Sequence, residues 1–402
     1  MHKGQANSHQ QTSGGPTAIL PGRSVVVVDL ESIRQNVRQL RAKLSAPTEI
    51  WSVVKADGYG HGAFEAGSAA VEAGAAALVV VTADEALELR ERGYPGRVLA
   101  LGPFMEAQEM RSLAAAKVEI ALAEEWGLEL LALAATEIRA AGFVPPPAEA
   151  TDRFRIHLKL ESGMNRRGLA ERELAQTLDR LETLRGVAVH GVMTHLARAD
   201  EDEASVAAQL AEFDRLSGPV QRRWPAALRH TSNSAATLRH PEAHFDAVRV
   251  GVALYGLSPF QHDPEQDGLR PALSWHSTLT SVKQLVPGEA VGYGHSFRAE
   301  VPTKVGLVPL GYADGVRREL GGKGQVLVRG ERRPMIGRVS MDSFAVDLGD
   351  AAAEPGDLVT LIGSQGEARI TAEEVARWLN TINYEVTCSI SPRRARRVFL
   401  NR

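Results

Sequence analysis

From residue 24 to about residue 255 the chain repeats one pattern of hydrophobic and polar positions. A short run of aliphatic, often β-branched residues is followed by a longer stretch rich in Ala, Leu, Glu and Arg with its apolar residues at helical spacing. Strand-like and helix-like segments in strict alternation predict parallel βα units. The opening run SVVVVDL, residues 24–30, is predicted as a strand, and a helix is expected over 32–44. Eight further strands are expected at residues 49–56, 77–82, 97–101, 118–122, 153–161, 187–196, 228–232 and 247–252. The connections are long enough for helices, for example 83–92 and 170–184. No GxGxxG follows the first strand, and eight units over this length fit a closed barrel better than an open doubly wound sheet. The expected fold class is therefore α/β, a (β/α)8 TIM-type barrel.

From about residue 258 the pattern shortens to alternating runs such as STLTSVKQLV, KVGLVPLGYA, QVLVRG, SFAVDLG and DLVTLIG, separated by Pro, Gly and Asp turns. These predict a second, mainly β carboxyl-terminal domain, joined through the polar linker SPFQHDPEQDGLRP. The expected organisation is a disordered arm at residues 1–22, a barrel domain at 23–257 and a β-rich domain at 258–402. A helix near 372–379 is expected to start at Thr371 as N-cap, with Glu374 three residues on.

Composition narrows the functional classes. The chain has 402 residues, 44% hydrophobic and 24% charged, as ordinary soluble globular proteins do. A net charge of -3 argues against a large nucleic-acid footprint, and the locally basic end SPRRARRVFLNR reads as a solvated edge. Cys388 is the single cysteine, so no internal disulfide forms, and it is expected as a small buried hydrophobe. Residues 1–22 lack an apolar signal-type core, and no run reaches the ~18 apolar residues of a membrane span. A cytoplasmic protein without membrane or nucleic-acid partners is expected.

In a parallel barrel the chemistry collects at the carboxyl ends of the strands. Lys55, in IWSVVKADGYGHG, ends the first of them. An amine losing hydration there has a lowered pKa and can form a Schiff base, which points to pyridoxal phosphate; the alternative is a lysine that snorkels from a strand end. The other strand ends carry Lys159 to Arg166, His195, Asn233 with Ser234, and Arg249 to Val252, all expected at one mouth. His240 and His244 in HPEAH have a metal-like spacing, but Pro241 and the missing third ligand argue against zinc, and no metal is expected. GGKG at 321–324 lacks the strand-to-helix frame of a phosphate loop and reads as a hairpin turn.

SVVKADGYGHG, HLKLESGMNRRG, VMTHLARADE, TSNSAA, VRVGVALYGL, VGYGHSF, LGYADG, GRVSMD and INYEV occur in this order over about residues 24–399. In these motifs the chain resembles the alanine racemase family, enzymes that use pyridoxal phosphate and have a barrel followed by a β-domain. The segment ESGMNRRG departs from a common family form, Asp-Thr-Gly-Met-Gly-Arg, at Glu161, Ser162 and Asn165, and Ser340 stands where many members have cysteine.

The resemblance implies that Lys55 carries the cofactor and is one catalytic base, with Tyr293 the opposing base. Inversion through a planar carbanion needs a proton acceptor on one face and a donor on the other. It further implies Arg249 at the pyridine nitrogen and His195 hydrogen-bonded towards Arg249. Tyr59, Ser234, Tyr384 and the backbone of Gly251 and Val252 are implied on the phosphate, with Asn233 orienting that loop. Arg166, Met341 and Tyr312 are implied on the substrate side, Tyr312 at the entrance. Lys159 matches a lysine often found carbamylated. A head-to-tail homodimer, in which each β-domain completes the partner's site, and D-alanine supply for peptidoglycan are implied as well. Serine or a broader amino-acid range stays open as substrate, because one methylene is worth only about 1–3 kcal/mol of discrimination. The nearest rival, a pyridoxal phosphate decarboxylase of basic amino acids, uses a carboxylate at the pyridine nitrogen and a catalytic cysteine, against which Arg249 and Ser340 argue. The β-domain and Tyr293 argue against a non-catalytic cofactor-binding barrel.

Overall fold

The computed structural model describes residues 22–140 and 154–402. The expected amino-terminal arm lies outside the described residues except for Gly22, as does Arg153 at the start of the fifth expected barrel strand.

Strand β1 (Val25–Asp29) leads into the helix Leu30–Arg41, which Asp29 caps by accepting from the Glu31 amide at 3.1 Å. Eight strands follow: β2 (Glu49–Val53), β3 (Ala77–Val80), β4 (Arg97–Ala100), β5 (Glu119–Leu122), β6 (Phe154–Lys159), β7 (Val187–Met193), β8 (Leu228–His230) and β9 (Ala247–Val250). They pair in parallel in the order β8-β7-β6-β5-β4-β3-β2-β9. The seam between β8 and β9 is joined by the Asp246 amide to Arg229 O at 3.0 Å and the Arg249 amide to Ser232 O at 2.9 Å. The expected barrel is thus present, with its strands shorter than the apolar runs that announced them. Helices cover its outside and the strand cores are buried on both faces, which is why the strands read as continuous apolar runs rather than alternating ones.

The carboxyl-terminal part is mainly β. It comprises β10 (Leu273–Thr278), β11 (Ser281–Leu285), β12 (Ala290–Val291), β13 (Phe297–Arg298), β14 (Thr303–Val308), β15 (Gln325–Val328), β16 (Glu331–Ile336), β17 (Phe344–Gly349), β18 (Leu358–Gln365), β19 (Ala368–Ile370) and β20 (Arg396–Leu400). The large sheet runs β11-β14-β17-β16-β15-β18-β10-β1-β20. The helix Ala372–Leu379 starts where expected, with the Thr371 hydroxyl accepting from the Glu374 amide at 3.2 Å.

Three expectations change. The opening strand joins the second domain's sheet, antiparallel to β10 and parallel to β20, so the chain begins by tying the two halves together. The basic tail is a sheet edge, but not merely a solvated one: Arg397 reaches the Asp57 carboxylate at 2.7 Å, beside the turn that follows Lys55. The turn at 321–324 leads from a short 3-10 segment, Arg318–Leu320, into β15 and does not close a hairpin.

Candidate active site

The carboxyl ends of the barrel strands open into a cavity of about 670 Å³. Lys55, Tyr59, Lys159, Arg166, His195, Asn233, Ser234, Arg249, Gly251, Val252 and Tyr384 all line it. Lys55 arrives from the end of β2, Lys159 and Arg166 from the end of β6 and its loop, and His195 from just beyond β7. Asn233 and Ser234 follow β8, while Arg249, Gly251 and Val252 lie at the end of β9. Tyr384 enters from the short helix Asn383–Cys388 of the second domain.

Cations dominate this cavity. Burial, followed by the nearby Arg166 guanidinium, lowers the Lys55 amine below its usual pKa, with Glu85 opposing. Lys159 is pushed down to about 8 by burial and by Arg167, Arg166 and Arg249. Arg167 is held by Glu124, with Nε and Nη2 at 2.5 and 3.0 Å from its carboxylate. The neighbouring Arg166 is exposed and pairs with no described residue, leaving its fork of donors free for an anion.

An anion cradle lies at the end of β9. Ser234 Oγ accepts from the amides of Gly251 and Ala253 at 3.0 and 3.3 Å, and Asn233 caps the helix Ser234–Arg239 through the Ala236 amide at 3.0 Å. A Cβ on Gly251 would fall 2.4 Å from Tyr59 Oη, so only glycine lets that phenol approach the strand end. The Tyr59 and Tyr384 rings are 5.9 Å apart, and neither hydroxyl bonds a described residue. Burial raises the pKa of both phenols, which keeps them protonated as donors.

Arg249 is the best-anchored side chain of the site, only 4% exposed. Nη1 donates to His230 O and Nδ1 at 2.7 and 2.8 Å, and Nη2 donates to Thr194 O and Thr231 O at 2.7 and 3.1 Å. His195 Nδ1 lies 3.5 Å from Nη2. Burial pushes Arg249 down to about 9, and none of its partners is a carboxylate. A carboxylate is reached through two histidines: His230 Nε2 meets His157 Nδ1 at 2.9 Å, and His157 Nε2 meets Glu119 at 2.8 Å. Because Arg249 only donates and Glu119 accepts, both imidazoles are neutral with their protons on Nε2. Arg97 closes the far end of this chain on Glu119 at 2.9 Å. His157 and His230 sit on either side of β7, and Gly191 makes their contact possible, since a Cβ there would fall 2.1 Å from His157 Nδ1. The sequence reading assigned no role to Glu119, His157 or His230; the one available signal was a histidine inside each of two apolar strands.

Cys388 corrects an expectation. It is exposed at the cavity wall near Lys55 rather than buried, because the helix Asn383–Cys388 packs against the turn after Lys55. His240 and His244 are tied into the local backbone, with Nε2 at 3.1 Å from Ala199 O and from Thr237 O respectively.

Tyr293, Tyr312 and Met341 do not line the cavity. They lie on the β-domain, 73%, 47% and 52% exposed. Two of them share one support: the Tyr312 amide donates to Ser340 O at 3.0 Å and the Ala313 amide to Met341 O at 3.1 Å. The Ser340 hydroxyl is used inside its own loop, donating to Ser343 O at 2.8 Å.

A parallel barrel with an amine, a buried arginine and an anion cradle at its carboxyl-terminal mouth, fused to a β-domain, has the layout of an enzyme that receives a small molecule with an anionic group at that mouth. The chain belongs to the alanine racemase family: residues 28–259 match its amino-terminal domain and residues 272–398 its carboxyl-terminal domain. It is 36% identical over 394 residues to the alanine racemase of Nostoc sp., covering 96% of this chain and 98% of that protein. It is 39% identical to alanine racemase 1 of Bacillus subtilis, covering 91% and 90%. Among solved structures, the alanine racemase of Streptomyces lavendulae superposes with a TM-score of 0.87 at 38% identity, over 95% of this chain and 98% of that one. The Bacillus anthracis alanine racemase with bound L-Ala-P gives 0.85 at 35% identity, over 95% and 96%. The reaction is the interconversion of L- and D-alanine, and family membership implies pyridoxal phosphate. Among the described residues no helix is long and apolar enough to cross a membrane.

Proposed function

We propose that Lys55 and Tyr293 are the two bases of this racemisation, that pyridoxal phosphate occupies the barrel mouth, and that a second copy of the chain brings Tyr293 to Lys55. The carrying observation is the division of the expected site: the barrel residues line one cavity, while Tyr293, Tyr312 and Met341 stand exposed outside it. A head-to-tail homodimer satisfies both halves.

The residues at the mouth fit the cofactor. Tyr59, Ser234, Tyr384 and the amides of Gly251 and Val252 would hold its phosphate, Arg249 its ring nitrogen, and the Lys55 amine its carbonyl carbon. When bound, the cofactor supplies the electron sink for the carbanion at Cα. Lys55 Nζ removes or returns the proton on one face of Cα, and Tyr293 Oη does so on the other. A lowered amine pKa raises the neutral fraction of Lys55 that acts as base. Arg249 remains a cation at neutral pH even at about 9, and its Nε–H, the donor with no partner among the described residues, would hydrogen-bond the ring nitrogen with no carboxylate among its partners to protonate it. Arg166 and the Met341 amide would take the substrate carboxylate, with Tyr312 at the entrance. Lys159, at about 8, keeps enough neutral amine near physiological pH to add carbon dioxide, and the resulting negative charge would orient Arg166. Supply of D-alanine for peptidoglycan is the physiological role this reading gives.

The test is incubation with L-alanine and pyridoxal phosphate in deuterated water, with chiral analysis and proton NMR at Cα. D-alanine carrying Cα deuterium supports two-base inversion; an amine with carbon dioxide, or no exchange, contradicts it.

A further inference from the structure

The turn after Lys55 is built against the preference of its residues. Ala56, Asp57 and Tyr59 have φ of 51°, 51° and 53°, and Gly58 between them has 63°. Consecutive non-glycine residues in the left-handed region are costly and persist only where their surroundings hold them. From Asp57 onwards the turn holds itself. The Gly62 amide donates to Asp57 O at 2.8 Å, and His61 Nδ1 reaches Gly58 O and Tyr59 O at 3.1 and 3.0 Å. Asp57 accepts from the Ala63 amide at 3.0 Å and pairs with Arg397 at 2.7 Å. The residue directly after Lys55 is held differently. The Ala56 amide donates to Glu85 Oε1 at 2.7 Å, a contact from the first turn of the helix Ala83–Glu91 that follows β3. Glu85 also caps the helix Ala83–Glu91, but with its other oxygen, which accepts from the Val81 and Thr82 amides at 2.8 and 3.1 Å. Capping therefore does not account for the bond to Ala56.

We propose that Glu85 is a positioning residue for the Lys55 amine, fixing the first left-handed residue after it and placing a carboxylate beside it. The proposal rests on reading Lys55 as a base. Its charge also bears on the amine: Glu85 favours the protonated form, opposing burial and Arg166. The other groups facing Lys55 are Cys388, His195 and the Tyr59 ring, whose centroid is 5.9 Å from Nζ.

The test compares wild type, Glu85→Gln, Glu85→Asp and Thr82→Ala. On the full-length chain freed of cofactor, acetylation of Lys55 by acetic anhydride is followed against pH by mass spectrometry. On the cofactor-loaded enzyme, kcat, KM and Tm are measured. Glu85→Gln is expected to move the labelling midpoint to lower pH and to reduce kcat about ten-fold or more, with KM within about two-fold. Glu85→Asp keeps the charge and the wild-type midpoint, but its shorter side chain loses the Ala56 amide and lowers kcat. Thr82→Ala removes the other half of the cap; it lowers Tm and leaves midpoint and kcat alone. A Glu85→Gln enzyme with wild-type midpoint and kcat, whatever its Tm, reduces Glu85 to a helix cap and overturns the proposal. Should Glu85→Gln fail to fold, an unchanged kcat in Glu85→Asp overturns it equally. A moved midpoint with unchanged kcat overturns instead the reading of Lys55 as a base, and leaves its coupling to Glu85 standing.

Discussion

The barrel mouth and the exposed face of the β-domain treat their functional residues in opposite ways. At the mouth, Arg249 is buried with its Nη donors committed, and Gly251 lets Tyr59 approach. On the β-domain, Tyr293 stands 73% exposed on a three-residue turn next to Gly294, whose φ is 71°. One half is preorganised by its own fold; the other stands on the surface, where the proposed second copy of the chain would complete it. In the proposed head-to-tail dimer the site would be assembled only in the oligomer, and association and catalysis would become one equilibrium.

The sharpest break of the comparison is at Lys55. Lys55→Ala is expected to abolish racemisation, a loss of about 10⁴-fold or more in kcat, with Tm little changed. Turnover with saturating cofactor and a thermal scan check this. Tyr293→Phe comes next, at about 10²- to 10⁴-fold in kcat, with cofactor binding intact. Because Tyr293 is so exposed, Tm should hold, and a fall of many degrees would mean that the residue is structural.

The preorganised half breaks through stability. Glu119→Gln removes the buried charge on which His157 and Arg97 converge and leaves Arg97 only its longer contact to Glu49 at 3.6 Å, which is expected to cost about 1–3 kcal/mol. Calorimetry reads this as a lower Tm, accompanied by a change in kcat that an exposed glutamate on the same barrel would not produce. An unchanged Tm would mean that the chain from Arg249 to Glu119 adds nothing to stability.

The smallest effect is a pH dependence at Lys159. A lysine whose folded pKa is about 8, against an ordinary 10.5, weakens the fold below about pH 8. There the unfolded and folded chains are both protonated and the buried charge is unfavourable; as pH rises towards 10.5 the unfolded chain binds the extra proton and stability recovers. Lys159→Met should therefore be more stable than wild type at pH 7, by about 1–3 kcal/mol, with the gap closing by about pH 10. Added bicarbonate should narrow the gap at pH 8 if the amine takes up carbon dioxide. A pH-independent difference would contradict the burial argument.

The same division marks what the sequence made legible. The eight barrel strands announced themselves because strands buried on both faces are continuous apolar runs bounded by amphipathic helices, and their carboxyl ends placed Lys55, His195 and Arg249 at one mouth. The pairing of β1 with β20 left no local trace, because its partners lie at opposite ends of the chain. Glu119, His157 and His230 went unread because an inward-pointing polar side chain does not disturb a strand's apolar run; only in the folded chain do three strands aim them at one another. Cys388 was misplaced for a related reason: a small residue on a short helix carries no sign of which surface that helix covers. In the proposed dimer the location of Tyr293 relative to Lys55 depends on a second molecule, which no property of the single chain records.

That last point is tested most directly by mixing. Lys55→Ala and Tyr293→Phe chains, each inactive alone, are refolded together in equal amounts and assayed for racemisation. In shared sites, half of the randomly paired dimers are mixed, each with one intact and one doubly altered site, so about a quarter of wild-type turnover should return. A mixture no more active than its separate components would place both bases in one chain and contradict the divided site.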